Sequence, residues 1–432
     1  MFYRKQSRSR GTCAWLWFVG WLATVALTPA VWAVDQWPSW RGPHYTGVAD
    51  GNAYPTSWSK TDNIAWSVPL PGLGGSTPCV WGDWVIVTCG DNGKNAVLCY
   101  GRDGRLRWTT HVGRERPGKH RKGSGANPSP VTDGEHVFVY FKSGDLGCLD
   151  FNGSLLWHKN LQQLYGEDTL WWDLGTSPVL TSKYVVVACI HSGPSYLAAF
   201  EKTTGNLAWK HDRNLDAPDE SAQTYSTPIP AMIRGREALV VLGADHVTAH
   251  DAATGNELWR VGGLNPTGQR FFRSIASPVV SDGIVVAPYA RGRTLTAIRL
   301  ESEGDVTSSG VLWHRDDLGA DVPTPAAHDG KVYLCSDRGN FYCLDIKTGK
   351  TLWEGQCPRS GAAAYSSSPI IAGNKIYCTR EDGLTTVLEL ADSFKIVATN
   401  RIDEFVVASP AFAYGKIFLR TAEHLYCIGK EE

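Results

Sequence analysis

A serine or threonine followed by proline recurs eight times beyond residue 33. The pairs begin at Thr77, Ser129, Ser177, Thr227, Ser277, Thr324, Ser368 and Ser409, at steps of 52, 48, 50, 50, 47, 44 and 41 residues. A period of this length marks an architecture of stacked supersecondary units, none of which buries its apolar face alone. Each proline opens the same series of events. A short apolar run comes first, as in Pro278-Val279-Val280. A turn rich in Asp, Asn and Gly follows, such as Asp282-Gly283 or Asp329-Gly330, residue types that tolerate positive φ or bond their own backbone. A β-branched or aromatic strand is next, then a second polar turn and a third strand.

The third strand often ends in an acidic residue, a Gly-bearing turn and a strand that carries Trp. Asp251 to Trp259 and Asp345 to Trp353 are the clearest copies, and Glu201 to Trp209 is a third. Four antiparallel strands in this span make one propeller blade. Pro suits the first residue of a strand, where no ladder donor is needed. Trp108, Trp157, Trp209, Trp259, Trp313 and Trp353 end blades one to six, and Lys395-Ile396-Val397 stands there in blade seven. Blade eight, from Ser409 through Leu425-Tyr426-Cys427, stops one strand short. The missing strand is predicted to be Asn63 to Val68, with Trp66 completing blade eight from the other end of the chain. That arrangement removes a sheet edge and locks the ring. The expected fold is therefore all-β: an eight-bladed β-propeller of four-stranded antiparallel blades over residues 64–428, closed by an N-terminal strand. It is preceded by an arm at 34–63 and followed by a short tail at 429–432.

The first 33 residues stand outside this pattern. Arg4, Lys5, Arg8 and Arg10 precede an apolar, Trp-rich run from Cys13 to Thr28, and Val31-Trp32-Ala33 offers a small-residue cleavage site. This is the layout of a secretory signal peptide, with an uncleaved signal anchor as the alternative. Export to the periplasm or the medium is the expectation. Without these residues the chain carries 38 Lys/Arg against 43 Asp/Glu, a net charge of −5, which argues against a nucleic-acid partner.

The Asp-x-x-Thr-Gly-x-x-x-Trp copies and the eight repeats resemble the PQQ-like repeat propellers, a family that takes its name from pyrrolo-quinoline quinone. It includes quinoprotein alcohol dehydrogenases and the propeller lipoprotein of the outer-membrane barrel-assembly machinery. The likeness spans about residues 64 to 428, and the leader Trp37-Pro38-Ser39-Trp40-Arg41-Gly42-Pro43 looks like that of secreted planctomycete-type members. The resemblance is specific for fold and weak for function, because function sits in loops grafted on the fold. Dehydrogenase members carry vicinal cysteines, a Ca²⁺ site beside PQQ or a haem motif. This sequence has no adjacent cysteines and no Cys-x-x-Cys-His, and no matching Ca²⁺ ligand set is identified.

Ten cysteines follow the leader. Cys89, Cys189, Cys335 and Cys378 share one repeat position, and Cys99, Cys148, Cys343 and Cys427 share another. Equivalent positions suggest free thiols that fill blade interiors. Cys89/Cys99 and Cys335/Cys343 could also face each other across hairpins, and no spacing suggests a zinc site. The basic run from His111 to Lys122 reads as a solvated loop, with a patch for an anionic partner as the sharper alternative.

The segments before each Ser/Thr-Pro pair should converge on one mouth of the axial channel. They and the neighbouring second-to-third-strand turns supply the candidate ligand residues Trp172, Asp173, Tyr225, Arg273, Arg291, Asp321 and Tyr365. Aromatic and Arg side chains in a concave mouth suit recognition of a protein, small molecule or glycan, or the aromatics plug the channel top. The leading functional expectation is a monomeric, non-enzymatic binding or assembly module. A PQQ- and Ca²⁺-dependent oxidoreductase is one alternative, which an open mouth with Arg273 facing a carboxylate would favour. A carbohydrate-active propeller enzyme is the other.

Overall fold

The computed structural model describes residues 1–3, 6 and 35–430. The signal-peptide reading falls almost wholly outside the described residues. Residues 35–430 form eight antiparallel sheets in sequence order around an axis, and the fold is the expected eight-bladed propeller. The blades open at Cys79, Val131, Val179, Ile229, Val279, Ala326, Ile370 and Ala411, each directly after the Pro of its repeat. The closing strand Ile64–Pro69 pairs antiparallel with His424–Ile428 and places Trp66 opposite Cys427.

Two side-chain devices repeat around the ring and explain the motif. The first is at the axis. The amide of Thr77 donates to Ser129 Oγ at 2.9 Å, Ser129 to Ser177 at 2.9 Å, Ser177 to Thr227 at 3.0 Å and Thr227 to Ser277 at 2.9 Å. The chain continues from Ser277 to Thr324 at 2.8 Å, from Thr324 to Ser368 at 3.0 Å and from Ser368 to Ser409 at 2.9 Å. Each of the seven hydroxyls from Ser129 to Ser409 thus satisfies a buried donor of the blade before it. The second device is at the perimeter. Four of the outer-strand Trp residues lie against the Gly turn of the next blade, and each of their indole N–H groups donates to a carbonyl there. Trp108 bonds Phe151 at 2.9 Å, Trp157 bonds Lys202 at 2.7 Å, Trp209 bonds Ala252 at 3.0 Å and Trp313 bonds Ile346 at 2.9 Å. Trp66 does the same to Arg102 at 2.7 Å, so the closing strand docks on blade one as those four blades dock on their successors. A Cβ on Gly255 would sit 2.4 Å from the Trp209 ring, and its φ of 76° is one that other residues rarely adopt. Blade seven lacks the Gly turn, and Phe394 packs on Trp353 in its place, 6.3 Å between ring centroids.

The register corrects one expectation. Cys89 pairs with Ala96 and Cys99 with Ile86, while Cys335 pairs with Phe341 and Cys343 with Tyr333, so neither hairpin brings its two thiols face to face. All ten described cysteines are buried and free. The fourth blade carries an unforeseen fifth strand. Gly304–Asp305, from a loop of blade five, runs parallel to Glu257–Val261 and covers that edge.

The arm threads the ring. Trp37 exchanges two backbone hydrogen bonds with Val80 of blade one, 2.8 and 2.9 Å. Thr132 of blade two donates to Pro38 O, and Ala327 of blade six donates to Thr46 O. Arg41 is fully buried and donates to the carbonyls of Pro369 at 2.9 Å and Pro325 at 3.0 Å, two of the repeat prolines. The segment from Trp37 to Ala49 therefore ties blades one, two, six and seven to one another.

Candidate functional site

A cavity of about 530 Å³ occupies the axis. All eight repeat hydroxyl residues line it, and Trp40 of the arm lines it with them. Around its mouth stand Trp172, Asp173, Tyr225, Arg273, Arg291 and Asp321. Tyr365, grouped with these from the sequence, lies elsewhere. It is buried between blades six and seven and its hydroxyl donates to Pro358 O at 2.9 Å. It precedes the Ser-Ser-Ser-Pro segment as the other mouth residues precede theirs, but its ring turns into the seam and packs against Gly339.

Asp173 is already spent on structure. Its carboxylate accepts from the amides of Lys119 (2.8 and 2.9 Å) and His120 (3.2 Å) and pairs with the Lys142 ammonium, both side chains being buried. This anchors the basic segment, which is not the freely solvated loop expected from its charge. Arg116 pairs with Asp168 at 3.2 Å, and Lys119 Nζ donates to Leu170 O at 2.7 Å. Lys122 pairs with the buried Glu381 of blade seven, so the segment reaches from the blade one–two connection across to that blade. His120 and Lys122 thereby enter the cavity lining, a placement that sequence spacing could not show.

The opposite side of the mouth is held by Arg273. Its Nη2 donates to Asp321 Oδ2 at 3.1 Å and its Nε lies 3.4 Å from Glu220 Oε1. Nε and Nη1 make no hydrogen bond although both are buried. Glu220 also accepts from the Trp172 indole at 2.7 Å, which fixes the ring at the rim. Asp337, beside Arg338 in the blade-six turn, accepts from the amide of Asp321 at 2.8 Å, and burial pushes its carboxyl above the usual range. The rim itself is aromatic. Trp171 is 48% exposed, Trp172 43% and Phe271 49%, and the Trp171 and Phe271 rings are 6.3 Å apart.

A family model described as outer membrane protein assembly factor BamB, of the PQQ_2 type, matches residues 44–213, 153–309 and 303–396. The chain belongs to this family. An outer membrane protein assembly factor BamB of Yersinia pestis is 26% identical over 230 residues, 52% of this chain and 51% of that protein. The chain thus spans about half the length of that relative. Among solved structures, BamB from Moraxella catarrhalis aligns with a TM-score of 0.61 and 16% identity, over 84% of this chain and 98% of that one. A europium-containing methanol dehydrogenase aligns with a TM-score of 0.67 and 12% identity, over 89% of each. At such identities the structural likeness concerns the fold, and the same fold serves both kinds of protein.

Proposed function

We propose that this chain is an exported, non-enzymatic binding module that docks a partner protein on the loop-bearing mouth of the propeller. The observation that carries the reading is the rim of Trp171, Trp172 and Phe271, held half-exposed by Glu220 and by ring contacts around a polar centre. Rigid aromatic anchors ringed by polar groups are the usual composition of a protein-binding hot spot. The assembly-factor description of the matched family favours the same reading. The basic, apolar leader of the sequence favours export. Among the described residues no helix is long and apolar enough to cross a membrane.

The test is site-specific photocrosslinking in the exporting cell. A crosslinker at Trp171 or Phe271 is expected to capture a partner that one at Leu207, on the outer perimeter, does not. The W171A/F271A pair should abolish a crosslink formed from a neighbouring rim position. Capture from the perimeter that is indifferent to the pair would overturn the proposal.

A second reading has one observation in its favour. Arg273 does face a carboxylate, Asp321, in an open mouth, as a quinone-dependent oxidoreductase would need. On the Asp173 side of the cavity, however, the oxygen donors are already engaged. Both Asp173 oxygens are committed to amides and Lys142, and Asn127 Oδ1 already accepts from Ser124 at 2.9 Å. Titration of the exported protein with PQQ and Ca²⁺, followed by absorbance and dye reduction with alcohols, decides it. Absence of binding at micromolar quinone removes this reading.

A further inference from the structure

Three cysteines from separate chain segments meet in the seam between blades six and seven. Cys335 ends the strand Lys331–Cys335, Cys357 follows the strand Thr351–Gln356, and Cys378 lies in Lys375–Thr379. Their sulfurs all lie within 4.8 Å of one another, and all three residues are buried. A preference for small buried side chains accounts for Cys335 and Cys378, which occupy the repeat position also held by Cys89 and Cys189. It does not account for Cys357, which belongs to no cysteine repeat position and is set in an inter-blade connection by its amide bond to Gly339 O, 2.8 Å. That placement brings its thiol to the other two.

The geometry points to a three-coordinate thiolate site for a soft monovalent cation, Cu(I), formed by Cys335, Cys357 and Cys378. A metal–sulfur bond of about 2.3 Å places the corners of a planar triangle about 4.0 Å apart, so each pair of sulfurs need close by no more than about 1 Å. A disulfide would need two sulfurs to approach to about 2.05 Å and would strand the third. Zn²⁺ takes four ligands, and among the described residues no further His, Cys, Asp or Glu joins the group. Cu(I) is matched by soft thiolates, and the surrounding cage of Tyr333, Phe341, Tyr365 and Ile376 keeps the seam apolar. Binding exchanges thiol protons for the metal: the protons leave to solvent, the sulfurs become thiolate ligands, and neither sulfur nor copper changes oxidation state. Because the seam is closed, loading belongs to the folding chain.

The test refolds the full chain anaerobically with Cu(I) presented by a chromophoric chelator, in the wild type and in C335S, C357S, C378S and C148S. The expected result is one Cu(I) per chain, near-ultraviolet thiolate charge-transfer absorption and an X-ray absorption spectrum fitted by three sulfur neighbours. Each serine variant of the trio should bind on the order of tenfold more weakly or worse, and C148S, a buried thiol outside it, should bind as the wild type does. If the trio variants misfold, the wild-type melting temperature still reports, rising with Cu(I) and not with Ca²⁺. Equal binding by the trio variants, no melting shift in the wild type, a disulfide among the three in protein isolated from its host, or a tighter four-coordinate Zn²⁺ complex would each overturn the assignment.

Discussion

The amide of Ser177 donates to the hydroxyl of Thr227 in the next blade, and the proline after each of them opens a strand. This single link, repeated around the axis, makes the Ser/Thr-Pro dipeptide a device for joining blades as well as starting them. Replacing Thr227 by Val keeps the shape but leaves the buried Ser177 N–H without an acceptor. The expected cost is about 1–3 kcal/mol. Urea unfolding should show it as a lower midpoint at unchanged m, and Thr227→Ser should stay near the wild type.

Closure at Trp66 is a second point of attack. The indole docks on the Gly104 turn, donates to Arg102 O and packs on Phe418, 6.1 Å between centroids. Trp66→Ala removes a half-buried ring and opens the edge of the last blade. A loss of about 2–4 kcal/mol is expected, together with faster hydrogen exchange in His424–Ile428. Exchange confined to the arm, with His424–Ile428 unchanged, would mean that the strand does not lock the ring.

The ring and its closure were legible because each blade writes its plan locally. Pro, the Asp/Asn/Gly turn, the acidic residue, Gly and Trp all fall within one repeat, and their spacing is their structure. The hydroxyl of each Ser/Thr was less legible, since its partner lies a whole repeat away. The mouth was half legible. Sequence places the segments that converge there, and Trp172, Arg273 and Asp321 do line the cavity. It does not show which way a ring turns, and Tyr365 turns into a seam. Nor does it show that Asp173 is consumed by Lys142, or that Trp40 of the arm reaches the axis, because these contacts join segments with no common period. The cysteine trio was hidden for the same reason, as Cys357 sits outside the repeat positions that make the other two look structural.

The arm should be intolerant of side-chain growth at Gly47. Its φ is 75°, and a Cβ there would lie 1.9 Å from Nη2 of Arg41. That guanidinium is held by Pro325 and Pro369 and has no room to retreat. Gly47→Ala should cost about 2–4 kcal/mol through backbone strain and the displaced cation. Thermal melts check this, and the double variant G47A/R41A should recover part of the loss if the clash is with Arg41.

Acid should weaken blade four. His250 is fully buried, its Nδ1–H donating to Gly255 O at 3.1 Å and its Nε2 accepting from Thr248 Oγ1 at 2.9 Å. Burial, with Arg213 and His211 nearby, lowers its pKa to about 3. The unfolded chain takes up this proton near its usual value of about 6.5, so stability is intact above that pH and is lost as pH falls towards the folded value. The slope from this one group approaches about 1.4 kcal/mol per pH unit. In His250→Gln the stability curve between those two values should be flatter than in the wild type. An unchanged slope would assign the acid sensitivity to other groups.

Asp173 and Lys142 test whether the mouth loop is fixed or free. The pair is buried, and Lys142 also donates to Pro117 O at 2.6 Å, so both ends of the contact hold the 117–123 segment. Asp173→Asn keeps the volume and removes the charge. Lys142 is then a buried ammonium without its counter-charge, and a loss of about 3–5 kcal/mol is expected. Lys142→Met in the same chain removes the stranded charge and should restore part of that stability, because the larger cost lies in breaking the pair. Limited proteolysis separates the two effects. Asp173→Asn should expose Lys119, Arg121 and Lys122 to trypsin, and the double variant, which regains stability but not the carboxylate bonds to the Lys119 and His120 amides, should remain as readily cleaved. A double variant both stable and protected would mean that neither Asp173 nor Lys142 is needed to hold the loop.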